Sequence, residues 1–159
     1  MVIWLLGISG SGKTTLGNKL NKYFDKQNIK SFIIDGDLVR DFYNNDLGYT
    51  KEDRINNIKR IMLSAYILEQ NGIIPIVCNI SPYQHLRDFA RDKFDKYIEI
   101  YLKKELSDIK NKEEVYSGKN VIGVDLKFET PIKADLTVNT TKFDENSSLN
   151  NILNLLHEQ

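Results

Sequence analysis

A chain of 159 residues that is 41% hydrophobic has room for one compact domain with a proper core, and for little else. Lysine plus arginine and aspartate plus glutamate both number 22, so there is no net basic field to hold a nucleic-acid backbone. The single cysteine, Cys78, excludes an intramolecular disulfide and a cysteine-based metal cluster, and its place in an apolar run reads as a buried strand thiol.

In chain order, the opening Met1-Val2-Ile3-Trp4-Leu5-Leu6 is too short for a secretion signal and lacks a basic lead-in. No apolar run approaches the length of a bilayer span. The expectation is a soluble, cytoplasmic protein with neither membrane nor nucleic acid as a partner. Candidate strands run from Val2 to Leu6, Ser31 to Ile34, Ile73 to Asn79, Tyr97 to Leu102 and Leu136 to Val138. Between them, apolar spacings of three and four predict helices over Thr14 to Lys26, Lys51 to Gln70 and Tyr83 to Lys93, with a last docking helix at Ser148 to Leu156. Thr50 followed by Asp53 supplies a capping start for the second of these. Near-continuous apolar strands alternating with helices imply a parallel sheet covered on both faces. The stretch from about residue 103 to 130 is charged and without a clean period, which suggests a lid within a single domain spanning 1–159.

Directly after the first strand stands Gly7-Ile8-Ser9-Gly10-Ser11-Gly12-Lys13-Thr14, a full match to G-x-x-x-x-G-K-[ST]. Gly7, Gly10 and Gly12 let the backbone wrap closely, so that N–H groups point at phosphate oxygens. The helix that follows adds its positive N-terminal dipole. Lys13 supplies a point charge for β- and γ-phosphates, and the Thr14 hydroxyl suits Mg²⁺. Ser9, Ser11 and Thr15 complete the expected nucleotide-binding set. This is a P-loop, and it leaves kinases, GTPases, motor ATPases and silent nucleotide-binding modules open.

A GTPase needs a guanine-reading motif and a switch glycine. Thr141-Lys142-Phe143-Asp144 faintly resembles the former, but the third strand runs into Asn79-Ile80-Ser81-Pro82 with no Asp-x-x-Gly. The second strand ends in Asp35-Gly36-Asp37, with Arg40 one helical turn on. In an open α/β sheet, ligands bind beyond the carboxyl ends of strands, so these groups face the P-loop. A carboxylate there accepts a proton from an attacking hydroxyl or holds Mg²⁺. Arg40, Arg54 and Asn57 are candidates to clamp an anionic acceptor. Tyr49 beside Arg54 and Asn57 favours a nucleotide acceptor over a sugar or carboxylic-acid metabolite.

The ordered set comprises the P-loop, Asp35-Gly36-Asp37-Leu38-Val39-Arg40, Asp46-Leu47-Gly48-Tyr49 and Asp53-Arg54-Ile55-Asn56-Asn57-Ile58-Lys59-Arg60. It continues with Ile80-Ser81-Pro82-Tyr83 and Arg87-Asp88. This set resembles the adenylylsulfate kinase family, which phosphorylates the 3′-hydroxyl of adenosine 5′-phosphosulfate. The resemblance implies a P-loop NTPase fold, three-layer α/β/α with a five-stranded parallel sheet, and Mg²⁺-dependent transfer from ATP. It makes Asp37 the candidate base and a metal ligand with Thr14. It also implies an acceptor site from Asp35, Arg40, Tyr49, Arg54, Asn57, Ile80, Ser81, Lys119 and Val121, and a possible homodimer. Tyr49 takes the place of a base-stacking phenylalanine. Two departures stand out: the lid shrinks to about Lys110 to Gly118, and Val121 replaces the second stacking phenylalanine. The version with Val121 also resembles cytidine diphosphoramidate kinases of capsule pathways, since a pyrimidine needs less stacking surface. Both acceptors stay open at this point.

Overall fold

A computed structural model describes residues 1–109 and 112–158. Positions 110 and 111, inside the segment suggested as a lid, and position 159 lie outside the described residues. The elements are β1 (Val2–Leu6), α1 (Lys13–Lys26), β2 (Ser31–Asp35), α2 (Gly36–Phe42), α3 (Lys51–Gln70), β3 (Ile74–Cys78), α4 (Gln84–Lys93), β4 (Tyr97–Lys103), α5 (Lys112–Val115), β5 (Leu136–Asn139) and α6 (Glu145–His157). A single 3₁₀ turn, Leu106–Asp108, follows β4.

The five strands form one parallel sheet in the order β2-β3-β1-β4-β5. The central strand β1 is buried along its whole length, and alternation of its side chains feeds two cores. Val2, Trp4 and Leu6 pack with Ile58, Ile61, Met62 and Ala65 of α3 and with Leu86 and Ala90 of α4. Ile3 and Leu5 pack on the other face with Leu16, Leu20 and Phe24 of α1 and Ile152 of α6. Two apolar layers on opposite faces of a parallel sheet make the expected three-layer architecture.

Local chemistry sets the helix starts. Thr50 and Asp53 form a reciprocal capping box, Asp53 N–H donating to Thr50 Oγ1 at 3.2 Å and Thr50 N–H to Asp53 Oδ2 at 3.4 Å. Two features depart from the sequence reading. Helix α2 is additional, and it starts because the Asp35 carboxylate accepts Asp37 N–H at 3.0 Å. Helix α6 begins three residues before Ser148, because Asp144 caps it by accepting Ser147 N–H at 2.7 Å.

Candidate functional site

The carboxyl ends of β1, β2 and β3 open into a cavity of about 500 Å³. Its lining brings together most of the residues singled out from the sequence: Ser9, Gly10, Lys13, Thr14, Asp35, Asp37, Arg40, Tyr49, Arg54, Asn57, Ile80, Lys119 and Val121. Gly7, Ser11, Gly12, Thr15 and Ser81 are not part of that lining. Ser11, Gly12 and Thr15 face a second cavity of about 690 Å³ on the other side of the P-loop, with Gly10 common to both. Lys19, Lys104, Thr140 and Phe143 also line it. The P-loop is therefore the partition between two cavities, and the second was not anticipated. Lys104, Thr140 and Phe143 follow the ends of β4 and β5, where the rule about strand carboxyl ends points.

Gly10 and Gly12 adopt φ of +79° and +95°, a region in which side-chain-bearing residues are strained, so the P-loop needs glycine there. A Cβ on Gly10 would also collide with Ile109. Lys13 donates from Nζ to the carbonyls of Gly7 and Ile8, at 3.0 and 2.8 Å. Burial holds its pKa down at about 8, against the upward pull of Cys78, Asp35 and Asp37. Cys78 is buried, its Sγ sits 3.4 Å from the Lys13 carbonyl, and burial pushes its thiol up to about 12. It is an inert core thiol, as its apolar strand implies.

Thr14 Oγ1 donates to Asp35 Oδ2 at 2.8 Å, so the carboxylate nearest the P-loop hydroxyl is that of Asp35. Asp37, one turn into the mouth of the cavity, is exposed along its wall. Among the described residues no three His, Cys, Asp or Glu side chains cluster as a metal site. The donors present suit a cation that takes one or two carboxylates and completes its shell with phosphate oxygens and water, the habit of Mg²⁺.

The facing wall hinges on Tyr49. The guanidinium of Arg40 lies 4.4 Å from the Tyr49 ring centroid and that of Arg54 lies 5.3 Å from it. Arg40 Nη1 donates to the carbonyls of Leu47 and Gly48 at 3.0 and 2.8 Å. Arg54 donates to Tyr49 O at 3.1 Å and to Asn120 O at 2.8 Å, which ties α3 to the segment bearing Lys119 and Val121. Both arginines thus shape this wall of the cavity as well as charging it. Asn57 is buried and donates to Gly36 O at 3.3 Å, and its Oδ1 has no hydrogen-bond partner among the described residues. From the segment at about 103–130, the Tyr116 hydroxyl donates to Ser9 O at 2.8 Å, and Asp125 accepts Val121 N–H at 3.0 Å.

The model of the Adenylylsulphate kinase family matches residues 1–139. An adenylyl-sulfate kinase of Lactiplantibacillus plantarum is 33% identical over 99% of this chain and 81% of its own length. One from Clostridium acetobutylicum is 34% identical over 99% of this chain and 83% of its own. The structure of the Mycobacterium tuberculosis APS kinase in complex with AMPPNP and APS superposes with a TM-score of 0.89, covering 98% of this chain and 96% of that one at 24% identity. At that identity the superposition speaks to the fold.

Proposed function

The chain belongs to the adenylylsulphate kinase family, and on that premise we propose that it transfers the γ-phosphoryl group of ATP to the 3′-hydroxyl of adenosine 5′-phosphosulfate. One observation carries the reading: Lys13 and Thr14 of the P-loop share a cavity with Asp37 and the Arg40–Tyr49–Arg54 cluster. A phosphate cradle, a free carboxylate and an aromatic-cationic platform are the parts that phosphoryl transfer to a nucleoside hydroxyl requires.

In this reading ATP threads between the two cavities. Its base rests in the outer one near Phe143 and Thr140, and its triphosphate crosses the P-loop towards Lys13. Lys13 turns from the Gly7 and Ile8 carbonyls to the β- and γ-phosphates and holds negative charge as the bond breaks. Asp37 takes the proton from the 3′-hydroxyl as its oxygen attacks phosphorus. Thr14 and Asp35 would hold Mg²⁺, which would supply charge neutralisation at the phosphate oxygens when bound. In this reading Asp35 joins Thr14 in the metal role that the resemblance implies for Asp37, which leaves Asp37 to the proton. The acceptor base stacks on the Tyr49 platform, with Lys119 and Val121 closing the far side. The segment at about 103–130 is a lid, held at Ser9 and Arg54 by the hydrogen bonds described above.

Val121 favours a second reading, a cytidine nucleotide such as cytidine diphosphoramidate, because valine offers a pyrimidine less stacking surface than phenylalanine would. Initial rates with each acceptor, for the natural chain and for Val121→Phe, separate the two. The first reading predicts faster transfer to adenosine 5′-phosphosulfate, further improved by Val121→Phe. Faster transfer to the cytidine compound, lost in that variant, would replace it with the second.

Helices α2 and α3 pack on each other and leave Phe42, Leu63, Tyr66 and Ile67 exposed. These side chains support a homodimer through that face, which sedimentation of Leu63→Asp would test by yielding monomer. No helix among the described residues is long and apolar enough to cross a membrane, and ATP consumption supports a cytoplasmic location.

A further inference from the structure

The turn between β3 and α4 holds Ser81 at φ +46°, in the left-handed region that serine rarely adopts. Such a conformation persists only where the surroundings over-determine it. Here residues from three places do so. Asn79 Oδ1 accepts from both the N–H and the Oγ of Ser81, each at 3.0 Å. Ser81 Oγ accepts from the Trp4 indole Nε1 at 2.7 Å. Ser81 O accepts from Arg87 Nη1 at 2.7 Å, and Arg87 Nη2 reaches Glu129 O at 2.7 Å. Trp4, Ser81 and Arg87 are all at most 2% exposed.

Ser81, Trp4 and Arg87 do not line the cavity, whereas the neighbours of Ser81 on both sides, Ile80 and Pro82, do. Trp4 lies on β1, three residues before Gly7 opens the P-loop. The strand that carries the phosphate cradle thus also fixes, through one indole hydrogen bond, the backbone of the opposite wall. We infer that Trp4, Ser81 and Arg87 are positioning residues, a lock that sets the Ile80–Pro82 backbone at a fixed place relative to the P-loop for the acceptor. The inference rests on the acceptor reading above and assigns that site a part no side chain in the cavity performs. Transfer rates are sensitive to errors of an ångström in the placement of reacting groups, which gives such a lock its purpose.

The test is a double-mutant cycle with Trp4→Phe, Ser81→Ala and the pair, assayed with ATP and adenosine 5′-phosphosulfate. Trp4→Phe removes one buried hydrogen bond, and Ser81→Ala removes that bond together with the one from Ser81 Oγ to Asn79. Each change should lower kcat/KM for the acceptor about three- to tenfold, with KM for ATP unchanged. The double variant should be no worse than the poorer single, because Ser81→Ala already removes the one contact that Trp4→Phe breaks. Equal effects on both substrates, additive effects or none would overturn the lock. In the natural protein the sole tryptophan gives one indole N–H resonance. Ser81→Ala should move it upfield and speed exchange of the amides at positions 80 and 81; an unmoved resonance would also overturn it. Absence of transfer to the acceptor by the natural protein would refute the acceptor reading instead, and the resonance would then decide the lock alone.

Discussion

The P-loop wall of the central cavity comes from one short stretch of chain, with Ser9, Gly10, Lys13 and Thr14 lining it, whereas the facing wall is collected from α2, Tyr49, α3, the β3–α4 turn and the segment 118–122. The first is held by its own backbone, with glycines at positive φ and a lysine folded onto the loop's carbonyls. The second is held by side chains reaching across sequence, such as Arg54 to Asn120 and Arg87 to Glu129. A cradle for phosphate is the same for every nucleotide and tolerates a local solution. An acceptor wall must fit one molecule, and long-range struts let single substitutions reshape it without touching the cradle.

Mutations should therefore divide by wall. Lys13→Ala strikes the cradle and should lower turnover by about 10³–10⁵-fold, the scale of losing a cationic transition-state contact. Steady-state kinetics check this, and near-normal turnover would break the cradle assignment. Asp37→Asn should cost about 10²–10⁴-fold in kcat while leaving nucleotide affinity intact. If Asp35→Asn alone had the larger effect on kcat at saturating Mg²⁺, the two carboxylates would exchange roles. Tyr49→Ala belongs to the acceptor wall and should raise acceptor KM by about 10- to 100-fold, with KM for ATP unmoved.

The pH dependence sharpens the same division. Burial lowers Lys13 to about 8, so in the free protein its charge is present below that pH and lost above it. Binding of an ATP analogue, followed calorimetrically from pH 6.5 to 9.5, should be flat at low pH and weaken above about 8, by up to about tenfold per unit. The sign for stability is the reverse: the unfolded lysine keeps its proton up to its ordinary value of 10.5, so the ligand-free fold gains stability from this group as pH rises between those values. The smallest effect is expected away from both walls. Thr50→Ala should remove the α3 cap and cost about 1 kcal/mol in denaturant unfolding, with kcat nearly unchanged.

What was legible in the sequence follows the same line. The P-loop, the five strands and the Thr50–Asp53 cap are local patterns, and each lies where its residues indicate. Helix α2 was not, because its start depends on a carboxylate cap from Asp35, a residue that also reads as functional. The segment 103–130 shows no period because its described residues are tied to other parts of the chain, Tyr116 to Ser9 and Asn120 to Arg54. Ser81 reads as an acceptor residue by its motif, yet its hydroxyl is spent on Trp4 and Asn79. Only coordinates reveal a residue that acts through its neighbours' backbone.

The most direct measurement of the central claim is the product itself. The protein, Mg²⁺, ATP and adenosine 5′-phosphosulfate are incubated, and the nucleotides are resolved by phosphorus NMR and mass spectrometry. A product carrying a new phosphate on the 3′-oxygen, formed in step with ADP and lost in Asp37→Asn, is the predicted result. ADP released with no phosphorylated acceptor, or a phosphate on any other oxygen, would contradict it.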